Sequence, residues 1–322
     1  SLVVLCSNMN TSNKIPQYDD KHYAVVDLGS NSFHLLIVRL HDNKIVKVNK
    51  VKRKVRLAAG LNVDCELSIE AIDKGLACLR LFAQHLASIP LSNIRIVATA
   101  TLRIAKNRDV FLTQANIILP VEIRLLSGEQ EAYTIYSGVA HTCKSKFTQK
   151  RLVVDIGGAS TELIIGEGFT AAKAVSLNLG CVSFKEKYFT DGQLTEANFT
   201  AAINAACDIV KPISAAFIKL DWQSVVGSSG TMRALAEILA FRKHPEVISA
   251  DFLQELKSAL ILCKSIDNIS FDGLRADRTP VLASGLSILI ALFNCLNIKE
   301  LRLSTGALRE GLLFEMLPLQ DV

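Results

Sequence analysis

The sequence has little that would staple it, anchor it or give it a strong charge of one sign. Its eight cysteines (Cys6, Cys65, Cys78, Cys143, Cys181, Cys207, Cys263 and Cys295) are scattered and form no CxxC pair. They read as reduced thiols used as small buried hydrophobes, which sets aside a disulfide framework and suggests a cytoplasmic protein. Against 36 Lys and Arg stand 31 Asp and Glu, a net +5. That permits an anionic small ligand and gives no argument for nucleic acid. The start, SLVVLC, lacks the basic region of a signal peptide and is too short for one, so residues 1–8 read as an upstream extension with Met9 a candidate start. One stretch, 279–298, carries no charge over twenty residues and nominally reaches membrane-span length. Ser284, Gly285, Ser287, Asn294 and Asn297 interrupt it, so a buried core helix is expected and a membrane is not. The 322 residues are half hydrophobic and about a fifth charged, which fits two globular domains of ordinary size.

What the chain does have is a repeat. Residues 25–37 read VVDLGSNSFHLLI and residues 153–165 read VVDIGGASTELII. Without a gap they agree at seven positions, Val25/Val153, Val26/Val154, Asp27/Asp155, Gly29/Gly157, Ser32/Ser160, Leu35/Leu163 and Ile37/Ile165. Each copy is an apolar run, an acid, a Gly/Ser-rich turn and a second apolar run, which predicts two strands joined by a tight turn. Backbone amides left uncovered in such a turn suit phosphate oxygens, and the acid at its lip can hold a hydrated Mg²⁺. Two copies 128 positions apart predict related half-molecules closing on one polyanion.

In the first half a third strand is expected over 45–57, with seven Lys and Arg between Lys44 and Arg56. They read either as a solvated face or as an electropositive wall, and Arg53 and Arg56 are the better candidates for the wall. Ser68 opens an apolar-periodic helix to about Ala87. The segment TATLR at 99–103 ends a short strand, and its Arg103 suits a phosphate contact or a plain surface position after a helix cap. SGEQEA at 127–132 opens the next helix. Glu129 fits the helix dipole; Glu131, one residue off that face, either does the same or points to the cleft as a base for water.

In the second half Glu162 stands where the first copy has His34, either as the outward side of an alternating strand or as a carboxylate near metal or water. GSSGT at 227–231 follows a strand and precedes a helix, a third phosphate-cradling arrangement. It lacks the Lys and the spacing of a Walker loop. STG at 304–306 makes another strand-to-helix turn, read as a routine connection or a ligand contact.

Taken in order, DLGSNSFHLLIVR at 27–39, ATATLR at 98–103, SGEQEA, VVDIGGASTEL, GSSGT and STGALREGLL at 304–313 resemble the exopolyphosphatase/guanosine pentaphosphate phosphatase (Ppx/GppA) family. KRKVRLAAGLN at 52–62 and SGLSILIALF at 284–293 bring it closer to the guanosine pentaphosphate phosphatase branch. The resemblance implies an α/β fold of the actin/hexokinase/heat-shock-chaperone type, with two ribonuclease-H-like domains around a central cleft. These are expected over 21–137 and 138–322, after a lead-in at 1–20 and with a closing helix at 306–317. It implies Glu131 as the carboxylate that activates water, and Asp155 and Glu162 as Mg²⁺-side acids with Asp27 facing them. Ser30, Asn31, Ser32, Arg103, Gly157, Gly158, Ser160 and the turn Gly227, Ser228, Ser229, Gly230, Thr231 become phosphate contacts. The expected reaction is release of the terminal 5′ phosphate of guanosine pentaphosphate. The alternatives are exopolyphosphatase action on inorganic polyphosphate and a non-catalytic alarmone sensor. A homodimer is common in the family, and a hinge is expected near 130–150 and 304–308. Long members continue into an HD-like helical region, whereas this chain stops at Val322.

Overall fold

The computed structural model describes residues 16–143 and 149–318. Cys6 and Met9 lie outside the described residues.

A meander opens the first lobe. β1 (His22–Leu28), β2 (Phe33–His41) and β3 (Lys44–Arg53) pair antiparallel in turn. α1 (Ile69–Leu86), capped by Ser68, crosses to β4 (Ile94–Ala98), which lies parallel to β1. α2 (Ala100–Ile104) and α3 (Arg108–Ile118) lead to the two-residue β5 (Arg124–Leu125) and to α4 (Gly128–Thr142).

The second lobe repeats the plan. β6 (Lys150–Ile156), β7 (Thr161–Glu167) and β8 (Thr170–Leu177) form the meander. α5 (Cys181–Tyr188) and α6 (Glu196–Leu220) precede β9 (Ser224–Ser228), parallel to β6. α7 (Ser229–Phe241), β10 (Val247–Ser249), α8 (Ala250–Cys263) and α9 (Thr279–Leu296) follow. β11 (Glu300–Leu303) then lies parallel to β9, and α10 (Leu308–Met316) is the last described helix.

The sheet orders are β3-β2-β1-β4-β5 and β10-β11-β9-β6-β7-β8. With β10 set aside they match strand for strand, and the halves are two ribonuclease-H-like domains of the expected α/β superfold. Crossover through helices keeps the parallel pairs of each sheet covered.

Three details depart from the sequence reading. β3 stops at Arg53 and not at Leu57, because Val55 and Leu57 turn into the first core and Arg56 takes φ 55° between them. β10, three residues long, is too short for periodicity to register and has no counterpart among the strands expected from the sequence. TATLR enters the short helix α2, so Arg103 sits on a helix end.

Each lobe has its own core, and a third apolar cluster joins them. Val25, Leu36 and Val97 from the first sheet and Val153, Ile164 and Val226 from the second close on α4 and α10. These two helices cross at glycines. A Cβ on Gly138 would stand 1.8 Å from the Ala307 carbonyl oxygen, and one on Gly311 2.0 Å from that of Thr134. Only glycine permits backbones this close. Among the described residues, two helical stretches, Glu196–Leu220 and Ala276–Leu296, are long and apolar enough to cross a membrane by length and composition, but 78% of the apolar window of the second is buried inside the fold, as a core helix should be.

Candidate active site

The two repeats meet at one cavity of roughly 430 Å³ between the lobes. Asp27 at the end of β1 pairs across the strands with His34, and Asp155 at the end of β6 pairs with Glu162 at the same register. The turns behind them approach each other closely. A Cβ on Gly158 would lie 2.8 Å from the Ser30 Cβ and 3.3 Å from the Asn31 amide nitrogen. Ser30, Asn31, Ser32, Gly157, Gly158 and Ser160 all line the cavity, with Asp27 and Asp155. Thr101 on α2 holds the first turn from behind, its hydroxyl donating to Ser30 Oγ at 2.7 Å.

Glu131 reaches the same cavity from α4. Ser127 and Gln130 close a capping box that fixes the start of this helix, Ser127 Oγ accepting from the Gln130 amide and Gln130 Oε1 from the Ser127 amide. The third position beyond the glycine that opens the helix, Glu131, then faces the cleft, 7% exposed. Burial pushes the Glu131 carboxyl up to about 7 from an ordinary 4.5, against the pull of Arg103. Arg103 does not line the cavity. Its Nη1 donates to Glu131 Oε2 at 2.7 Å and to the Leu126 carbonyl at 3.0 Å, so it grips the carboxylate from behind.

The other acids are held unequally. Asp155 accepts from Ser228 Oγ and Ser229 Oγ, each at 2.6 Å, and both hydroxyls come from the β9–α7 junction. Ser229 takes φ 75°, a left-handed conformation that costs a non-glycine residue and is kept where the hydroxyl binds the acid. Glu162 is 1% exposed and does not line the cavity; its Oε1 accepts from Ser160 at 2.8 Å and Ser176 at 2.6 Å. Burial, with Glu131 and Asp155 nearby, raises it well above the ordinary range. Asp27 by contrast has a buried Oδ1 with no hydrogen-bond partner, and its Oδ2 stands 3.7 Å from Arg309. Burial lifts it to about 6 despite that guanidinium.

Of the third turn, Ser228, Ser229 and Gly230 line the cavity, while Gly227 and Thr231 do not. α7 starts at Ser229, so Gly227 is a strand residue packed on Leu301 and Met232, and Thr231 packs on Gly285. Arg53 and Arg56 also stay outside the cavity; both are exposed, and Arg53 donates to the neighbouring Lys52 carbonyl. The basic wall is made instead by Lys50 and Lys52, with Arg233, Arg275, Arg278 and Arg309 opposite. Strand alternation separates Lys50 and Lys52 from Arg53, a period-two signal that was available on β3. His34 was passed over as the mere counterpart of Glu162. It lines the cavity, and burial together with Arg309 and Lys52 holds its imidazole neutral, down at about 2.

A buried carboxylate poised near neutrality, two acids and a row of cations around one cleft suit attack by water on a polyanion. Fold and site thus define a two-lobed α/β protein of the phosphate-handling kind, closed about an interlobe cleft. The profile of the Ppx/GppA phosphatase family matches residues 36–320, and the chain belongs to that family. It is 49% identical over 310 residues to a guanosine-5′-triphosphate,3′-diphosphate pyrophosphatase of Pseudoalteromonas atlantica, covering 96% of this chain and 61% of that protein. It is 52% identical over 294 residues to the protein of the same name from Vibrio parahaemolyticus, covering 91% and 59%. The chain therefore spans about 60% of the length of these relatives. Among solved structures, an exopolyphosphatase from Cytophaga hutchinsonii superposes with TM-score 0.83 at 21% identity, over 92% of this chain and 97% of that one. The Aquifex aeolicus PPX-GPPA enzyme gives 0.73 at 23% identity, over 91% and 99%. At such identity these two likenesses speak for the fold.

Proposed function

We propose that this chain is a phosphoric-anhydride hydrolase that releases the terminal 5′ phosphate of guanosine-5′-triphosphate,3′-diphosphate, acting in the cytoplasm. The observation that carries the reading is Glu131, a buried carboxyl raised to about 7 and facing the cavity where both Gly/Ser turns converge. Near neutral pH it is partly ionised and basic enough to take a proton from water as the water oxygen attacks the terminal phosphorus. The bond that breaks joins that phosphorus to its bridging oxygen, and the electron pair leaves with the shortened nucleotide. Arg103 keeps Glu131 in one orientation, while the turns at 29–32 and 157–160 and Arg309 offset charge on the phosphoryl oxygens. A positioned base supplies on the order of 10²–10⁴-fold, so most of the acceleration falls to this electrostatic cradle.

Asp27 and Asp155 suit a divalent cation of the Mg²⁺ kind. Such an ion keeps several waters and takes one or two carboxylates beside substrate phosphates, and the orphaned Asp27 Oδ1 is a ready oxygen donor. No group of three His, Cys, Asp or Glu that could hold a metal ion occurs among the described residues, which fits a site completed by water and phosphate. Glu162, sealed behind the cavity by two serines, fits a supporting role better than direct coordination. The ion would supply charge neutralisation on the transferred group.

A second reading, removal of terminal phosphate from inorganic polyphosphate, is favoured by the cation row Lys50, Lys52, Arg233, Arg275 and Arg278, which suits any linear polyanion. The test is phosphate release with Mg²⁺ from both substrates in parallel, with Glu131→Gln as control. Preference for the guanosine compound supports the main reading. Preference for polyphosphate moves the chain to the second, and undiminished turnover by the variant sinks both.

A further inference from the structure

Away from the reacting end, both lobes close on a single carboxylate. Lys52 Nζ of β3 lies 3.3 Å from Asp277 Oδ2. From the other lobe Arg275 grips the same carboxylate with a two-pronged fork, Nε to Oδ1 at 3.2 Å and Nη2 to Oδ2 at 3.1 Å. Lys54 Nζ adds a third contact, donating to the Asp277 carbonyl at 3.2 Å. Asp277 thus bridges the meander of the first lobe to the segment that leads into α9 in the second. Lys52 and Arg275 line the cleft and Asp277 does not, so the two cations face the cavity from one side and the carboxylate from the other.

We propose that Asp277 is an internal counter-anion that clasps the lobes across the cleft and competes with substrate for Lys52 and Arg275, so that a phosphate remote from the reacting end binds by displacing it. Only the identity of that substrate rests on the phosphohydrolase reading; the clasp itself does not. The Lys52 and Asp277 side chains are 25% and 37% exposed, the range in which an ion pair is weak and screened by salt. A phosphate offers the same fork geometry to Arg275 with more charge, and so outbids a carboxylate. Although burial pushes the Asp277 carboxyl up, Arg275 and Lys52 hold it down at about 2, so it stays an anion at any physiological pH. The competition is therefore set by ligand and salt and is independent of protonation.

The experiment is calorimetric binding of inorganic tripolyphosphate to the wild-type chain, Asp277→Asn and Asp277→Glu at low and high NaCl, with thermal unfolding of each. The isosteric amide frees both cations, so Asp277→Asn is expected to bind tripolyphosphate roughly three- to tenfold tighter at low salt. That advantage shrinks as ionic strength rises, and Asp277→Glu behaves like the wild type. Unchanged or weaker binding by a normally folded Asp277→Asn would overturn the clasp and make Asp277 a structural strut. Because the probe needs no turnover, tighter binding by the variant supports the clasp even if the wild type releases no phosphate from the guanosine compound. Conversely, normal hydrolysis with no gain in the variant removes the clasp alone.

Discussion

In the first lobe Asp27 stands opposite His34, and in the second Asp155 stands opposite Glu162, at one and the same register of duplicated strands. Their surroundings have diverged. Asp155 is tied by two serine hydroxyls and Glu162 by two more. Asp27 has an oxygen with no partner, and His34 has a buried Nδ1 with none. A buried polar atom left unpaired costs stability and persists where something else is meant to meet it. The second turn is therefore a finished, rigid wall, while the first is the face left incomplete for ligand. A duplicated motif has been divided into a holder and a receiver.

The largest effect should come from the group that both turns share. Glu131→Gln keeps the size and the Arg103 contact but cannot take a proton. Turnover is expected to drop by about 10²–10⁴-fold with nucleotide affinity kept, as read by single-turnover kinetics beside direct binding. Equal losses in binding and turnover would mean that Glu131 shapes the cleft and does no proton transfer.

The second test breaks the comparison itself. Asp155→Asn and Asp27→Asn should both lose activity, yet differ in stability. Asp155→Asn weakens two charge-assisted bonds from Ser228 and Ser229, each worth about 1.5–3 kcal/mol, so a loss of a few kcal/mol is expected. Asp27→Asn removes a buried charge that has no hydrogen bond at Oδ1 and should leave the melting temperature equal or higher at pH 8. Equal destabilisation of the two variants would erase the distinction between holder and receiver.

The divergence also marks how far the sequence could be read. The repeat was visible because Asp, Gly and alternating apolar residues impose a strand-turn-strand locally, and both turns line the cavity as their pattern requires. Glu131 was legible as a candidate because it stands one residue off the dipole-facing acid Glu129 and within the family-like segment SGEQEA; the capping box that fixes its register is seen in the structure. What stayed hidden depends on distant packing. Arg103 was taken for a phosphate contact, but it grips Glu131 across 28 positions of chain. Glu162 was taken for a metal-side acid, although Ser160 and Ser176 shut it behind the wall. Arg53 lost to Lys50 and Lys52 by strand alternation, and Arg56 because β3 ends before it. The link from Asp277 to Lys52 carried no local signal, since the two lie more than 200 residues apart.

A smaller effect should follow from the point where the turns touch. In Gly158→Ala the added methyl would press on Ser30 and Asn31, and they can yield only by moving the receiving turn away from the wall. A cost of about 1–3 kcal/mol for overpacking, placed on substrate binding, corresponds to a rise in KM of roughly five- to a hundredfold. A change in kcat alone would place the strain at the base and not at the cradle.

The mildest and most specific test is pH, because burial pushes the carboxyls of Asp27, Glu131, Asp155 and Glu162 up together. Glu131 must be ionised to accept a proton, so kcat/KM should rise with pH through about 7 and level off above it. Arg103 pulls that value down by charge and by hydrogen bond, so Arg103→Gln should move the limb up by roughly one pH unit and also lower kcat. A role in folding alone would change the amplitude and leave the limb in place. Stability without ligand has the opposite slope. Folded Glu131 and Asp27 keep their protons up to about 7 and 6, whereas unfolded carboxyls release them near 4.5 and 3.8. Between those values the folded chain binds more protons than the unfolded one, so these groups favour folding most below pH 4 and progressively less as pH rises to 7. Glu131→Gln should flatten that decline. Activity and ligand-free stability would then run in opposite directions across the same pH window, because the protonated form that keeps Glu131 comfortable when buried is the form that cannot act as a base.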